Sequence, residues 1–115
     1  MKLIVIESPY AGAVEESVEY ARRCMKDALG RNEAPIASHL LYTQAGILDD
    51  TVPEERALGI GAGLAWAELA TTAVFYLDRG VSGGMRAALD FYNERGIETI
   101  FRSLDGDLRE LLKQI

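Results

Sequence analysis

Apolar residues fall into short β-rich runs that alternate with longer stretches in which they recur every third or fourth position. This alternation is the pattern of strands and amphipathic helices. Residues 3–6 form an unbroken apolar run closed by Ser8-Pro9 and read as a buried parallel strand. Val14, Val18, Ala21, Met25 and Ala28 then mark one face of a helix over 14–29, closed by Gly30. A short second strand is expected at 34–38, led by Pro35, and residues 39–50 show no sustained period and read as a long loop. A second helix starts with Thr51 as N-cap, Pro53 in its first turn and Glu54 completing a capping box, and runs to about Ala70. The clearest strand is 72–77, Thr-Ala-Val-Phe-Tyr-Leu. A glycine-rich turn follows, then a third helix over 83–95 ending at Gly96, a strand at 97–101 and a terminal helix at 107–114.

The order β-α-β-α-β-α-β-α predicts one α/β domain over 1–115. It is expected to be a Rossmann-like three-layer fold with a mostly parallel sheet of four to five strands. In such sheets ligands lie in the crevice at the carboxyl ends of the strands. That directs attention to the loops 8–13, 39–50 and 78–85. Loops as long as the second are usually functional in compact domains.

Composition narrows the classes. The 115 residues are 49% hydrophobic and 26% charged, which is a globular balance, and the net charge is −6. That acidity argues against a polymeric nucleic acid as partner, although a few arginines can still make a local pocket for a small anion. No run approaches the ~20 apolar residues of a membrane span. The first residues lack the form of a signal peptide, and the single cysteine, Cys24, has no internal partner. These features predict a cytoplasmic protein without membrane contact.

The most informative stretch is Asp78-x-Gly80-x-Ser82-Gly83-Gly84-Met85. Ser82 is placed to cap the third helix, and Gly83 and Gly84 let a ligand approach backbone amides at the helix start. Such an end favours an anion by about 0.3–1 kcal/mol, so a micromolar ligand, at about 8 kcal/mol, needs other contacts. The plain alternative is a strand-to-helix turn with a serine cap. Ser8-Pro9-Tyr10 with Gly12 leaves the first strand in the same way, and Tyr10 offers a ring for stacking. Its plain alternative is a structural turn with a core tyrosine. His39, the only histidine, either orients a ligand or satisfies a buried carbonyl; with no ligand spacing around it, no metal site is expected. Gly59, Gly61 and Gly63 lie inside the second helix, so they read as a close-packing face and not as a dinucleotide turn. Cys24 and Trp66 read as packing residues. Arg56, Arg79 and Arg86 flank the ligand-facing ends of helices two and three and are candidates for an anion contact.

Taken together these loops resemble the nucleoside 2-deoxyribosyltransferase-like proteins, especially their short, phage-borne members. The matching residues are Ser8-Pro9-Tyr10 and Gly12; Tyr20-Ala21-Arg22; Pro35, Ser38-His39-Leu40 and Gln44; Glu55-Arg56 and Gly59; and Tyr76-x-Asp78-x-Gly80-x-Ser82-x-Gly84-Met85. The resemblance spans residues 2–102. It implies a homo-oligomer with a pocket for a nucleoside, a nucleotide or a ribosyl derivative, lined by Ser8, Pro9, Tyr10, Gly12, His39, Gln44, Arg56, Asp78, Ser82, Gly83, Gly84 and Met85. No cofactor is implied.

The family's enzymes use a glutamate on the helix after the glycine-rich turn to attack the anomeric carbon. The corresponding position here is Ala88, and Asp90, two residues on, projects roughly 200° away around the helix. Asp78 is then the best remaining catalytic carboxylate. The expectation is a binder of a nucleotide-derived molecule of the ADP-ribose-like or cyclic-nucleotide class, in a phage setting a sponge for a host immune signal. The alternatives are a nucleoside deoxyribosyltransferase or N-glycosidase using Asp78, and an interaction module without a ligand.

Overall fold

The computed structural model describes residues 1–115. Strand β1 is Lys2–Glu7, β2 Glu33–Ile36, β3 Thr72–Tyr76 and β4 Glu98–Arg102. Helix α1 is Val14–Gly30, α2 Ser38–Leu41, α3 Pro53–Ala67, α4 Gly83–Glu94 and α5 Leu108–Leu111, the last continued by a 3-10 turn, Leu112–Gln114. All strand pairs are parallel, in the order β2-β1-β3-β4. The α/β, Rossmann-like three-layer expectation is met, with four strands. The chain reverses its direction of travel across the sheet between β1 and β3, the place where such folds open a crevice. No helix is long and apolar enough to cross a membrane.

Strand alternation assigns each face of the sheet its own core. Ile4, Ile6, Val74 and Tyr76 pack against Tyr20, Cys24 and Ala28 of α1. Val5, Ala73, Phe75 and Leu77 pack on the other face with Ala67 of α3 and Met85, Ala88 and Tyr92 of α4. Complete burial of a side chain such as Phe75 or Leu77 contributes roughly 1.5–3 kcal/mol. No buried side-chain nitrogen or oxygen lacks a hydrogen-bond partner. The largest polar contact within the core is a bidentate pair, Arg102 to Glu33 at 2.6 and 2.7 Å, which ties the two edge strands together. Arg102 also donates to the Tyr76 hydroxyl, which donates in turn to Asp27.

Local departures from the sequence reading have physical causes. The buried face of α1 is Tyr20, Ala21, Cys24 and Ala28, so it is rotated away from Val14, which is exposed. Gly30 is the last helical residue, and the left-handed turn into β2 is made by Asn32 at φ +61°. Thr51 does not cap α3. Its amide and hydroxyl both donate to Asp49, and Val52 occupies the cap position without a side-chain bond. The expected loop 39–50 begins inside a helix: α2 forms at Ser38–Leu41 and seats against α3. Gly63 makes that seat possible, since a Cβ there would lie 2.6 Å from the Ser38 Cβ.

Candidate functional site

A cavity of about 210 Å³ opens where β1 ends, between α2, α3 and the start of α4. Its lining includes Glu7 and Ser8 from β1 and its exit, His39 from α2, Arg56 and Gly63 from α3, and Ser82, Met85, Ala88 and Tyr92 around α4. A shallower depression of about 720 Å³ adjoins it and shares Tyr10, Thr43, Leu48 and Arg56. The enclosed part is smaller than the ~300–1,000 Å³ typical of drug-sized sites. It therefore suits one ring system with a small polar group, the rest of a larger ligand lying in the depression.

Each side chain is held by a local cause. Ser82 is the N-cap of α4: its Oγ accepts from the Met85 amide at 3.2 Å. Gly83 and Gly84 occupy the next two positions, where helix amides have no intrahelical acceptor, and Gly84 faces the cavity. Ser8 Oγ lies 2.7 Å from His39 Nε2, and the Tyr10 ring meets the His39 ring edge-on at 6.3 Å. Burial pushes the imidazole pKa down to about 4, so His39 is neutral at ordinary pH. Arg56 reaches back 2.7 Å to Asp50, and the Asp49 amide donates to Glu55 at 3.2 Å.

Glu7 is the site residue that the sequence reading missed. It follows Val5 on the α3–α4 face of β1, and Tyr92 donates to its Oε2 at 3.0 Å. Burial raises its pKa from 4.5 to about 7, against the opposing effect of the Tyr92 hydrogen bond. An acid at the end of an apolar run looks like a strand terminator; its parity with Val5 was the available signal.

Of the residues named from sequence, Ser8, Tyr10, His39, Arg56, Ser82, Gly84 and Met85 converge on this cavity, and Ala88 faces it too. Gly12, at φ +90°, lines only the outer depression. Pro9 and Gly83 flank the lining without joining it, and the Gln44 side chain turns away to donate to the Leu41 carbonyl.

Asp78 lies elsewhere. It falls on the α1 side of the sheet, where it accepts from the Tyr20 hydroxyl at 2.6 Å and from the amides of Leu104, Asp105 and Gly106. Burial opposes ionisation there, but these four donors together hold its carboxyl far below the usual range. With both oxygens occupied, Asp78 is a clamp for the segment after β4 and sits outside the cavity. Arg79 covers the Tyr20 ring, and Arg86 donates to the Gln114 carbonyl, so neither reaches the cavity. Cys24 is fully buried, and burial pushes its thiol up to about 12. Trp66 is half exposed and donates to the Tyr42 hydroxyl at 2.9 Å.

The family model described as "Domain of unknown function (DUF7768)" matches residues 2–102, and the chain belongs to this family. No curated protein and no solved structure matches the chain.

Proposed function

We propose that this member of the DUF7768 family binds a nucleoside-derived small molecule in the cavity at the end of β1, without turning it over at an enzyme-like rate. The observation that carries this reading is the lining itself. Around one cavity it combines an aromatic ring (Tyr10), paired polar groups (Ser8 with His39), a carboxyl (Glu7) and the helix start at Gly84. A base and a sugar need stacking surface and directional hydrogen bonds of this kind.

The charges favour the less phosphorylated members of the nucleotide class. Asp50 and Glu55 line the cavity against Arg56 alone, and Arg56 is paired with Asp50. A phosphate would have to break that pair or rely on the start of α4, which supplies only about 0.3–1 kcal/mol. Sequestration of an uncharged nucleoside or of a ligand with its phosphates in solvent therefore fits better than capture of a multiply charged signal.

One observation favours a second reading, N-glycosidic cleavage. The cavity holds a carboxyl at Glu7 although the position implied for the nucleophile is Ala88. Incubating the protein with mixed nucleosides, nucleotides and ADP-ribose, followed by mass spectrometry of retained and released fractions, separates the two. Intact nucleoside in the retained fraction supports binding; free base in the released fraction supports cleavage; an empty retained fraction with no free base released refutes both.

A further inference from the structure

Glu7 has one committed oxygen and one that is not. Oε2 accepts from Tyr92, and Oε1 makes no hydrogen bond within the protein. Every side-chain oxygen shut away from the surface has a partner, so Oε1 must reach open space, and the space that Glu7 lines is the cavity. The apolar side chains of Val5, Leu64, Met85 and Ala88 are among those that share this lining.

The other charged groups facing the cavity are occupied by partners of their own, as is His39, while the Tyr10 and Ser38 hydroxyls make no side-chain hydrogen bond and do not titrate with Glu7 at neutral pH. On α2, His39 is bonded to Ser8; before and on α3, Asp50 holds Arg56 and Glu55 accepts the Asp49 amide. Tyr42, in the loop after α2, accepts from Trp66. Tyr92, on α4, keeps its proton because burial and the nearby Glu7 raise its pKa, so it remains the donor to Oε2. No ammonium or guanidinium group bonds Glu7 and favours its ionised form.

We propose that Glu7 is the residue that selects the bound molecule: as a neutral carboxylic acid it donates from Oε1 to a hydrogen-bond acceptor of the ligand, a ring nitrogen or carbonyl of a nucleobase. This rests on the nucleoside reading above. A carboxylate in the same place would accept and would select an amine or a cation, so the protonation state decides the ligand class. Burial holds that carboxyl at about 7, which keeps the donor form present at neutral pH. Donation to a bound acceptor requires the proton, so binding and protonation are linked.

The test is calorimetric titration with adenosine and with thymidine, separately, at pH 5.5 and pH 8.5, on wild type and Glu7→Gln. This window lies above the His39 transition at about 4. If only the neutral acid binds, wild-type affinity for the accepted nucleoside falls about thirtyfold across the window. Glutamine presents an N–H donor at every pH, so Glu7→Gln retains affinity within about threefold of wild type at pH 5.5 and shows no pH dependence. Wild-type affinity that stays level, or that tightens with rising pH, overturns the donor role and leaves the nucleoside reading standing. Absence of binding by either nucleoside at both pH values overturns both.

Discussion

Replacing Glu7 by glutamine should make the protein more stable above neutral pH, and the size of the gain follows from the carboxyl's environment. In the unfolded chain Glu7 ionises near 4.5; in the fold it keeps its proton to about 7. Between those values the native state binds more protons than the unfolded state, so stability falls as pH rises through this window and then levels off. At roughly 1.4 kcal/mol per pH unit the loss amounts to about 3 kcal/mol. His39 works in the opposite direction. It titrates near 6.5 unfolded and about 4 folded, so its contribution is complete above 6.5 and is lost as pH falls toward 4.

The two slopes oppose one another over the shared window from about 4.5 to 6.5, and wild-type stability from these groups is nearly level there. Glutamine has the length of glutamate, accepts the Tyr92 hydroxyl through its amide oxygen and carries no charge. The variant should match wild type at pH 4.5, gain stability with pH up to about 6.5, and exceed wild type by up to about 3 kcal/mol at pH 8. Urea unfolding followed by circular dichroism, in half-unit pH steps, reads this directly. A variant no more stable than wild type at pH 8, or offset by the same amount at every pH, would refute the assignment of a buried neutral Glu7.

Asp78→Asn should destabilise the protein by about 2 kcal/mol at neutral pH, because a neutral amide oxygen replaces a carboxylate that accepts four hydrogen bonds. Nucleoside affinity should remain unchanged; a selective loss of binding with unaltered unfolding would return Asp78 to the site. Gly63→Ala should cost about 1–3 kcal/mol, because its Cβ would collide with Ser38. Gly61→Ala meets open space and should gain up to about 1 kcal/mol, and urea midpoints that reversed this order would contradict the α2–α3 contact described. Helix α3 carries no charge between Arg56 and Glu68 and exposes Leu58, Ile60 and Trp66. If the homo-oligomer that the resemblance implies is a dimer built on this face, light scattering should give twice the chain mass and Leu58→Lys the single-chain mass. A wild-type monomer at tens of micromolar would dismiss it.

The fold was legible because its strongest signals are local. The runs at 3–6 and 72–77 are apolar on both faces, as central parallel strands are, and Ser82 caps α4 as its sequence context implies. Helix α2 was not legible: four residues carry no period, and the helix is held by its seat on Gly63, a tertiary contact.

The same limit applies to the site. Ser8, Tyr10, His39 and Ser82 were found because loops at strand ends attract attention, but of the two carboxylates at strand ends Asp78 was singled out and Glu7, which lines the cavity, was not. Period-two alternation decides between them. Leu77 faces α3 and α4, so Asp78 must turn toward α1, whereas Glu7 shares the face of Val5. That parity was present in the sequence. What sequence alone could not give is the placement of Tyr92, eighty-five residues away, against Glu7.

The most direct test of the central claim is amide chemical-shift mapping of the labelled protein titrated with adenosine and thymidine at pH 6. The account predicts saturable shifts confined to the cavity lining around Glu7, Tyr10, His39, Gly84 and Ala88, with the Asp78 clamp at 104–106 unmoved. Shifts centred on the clamp, or a spectrum unchanged at millimolar nucleoside, would contradict it.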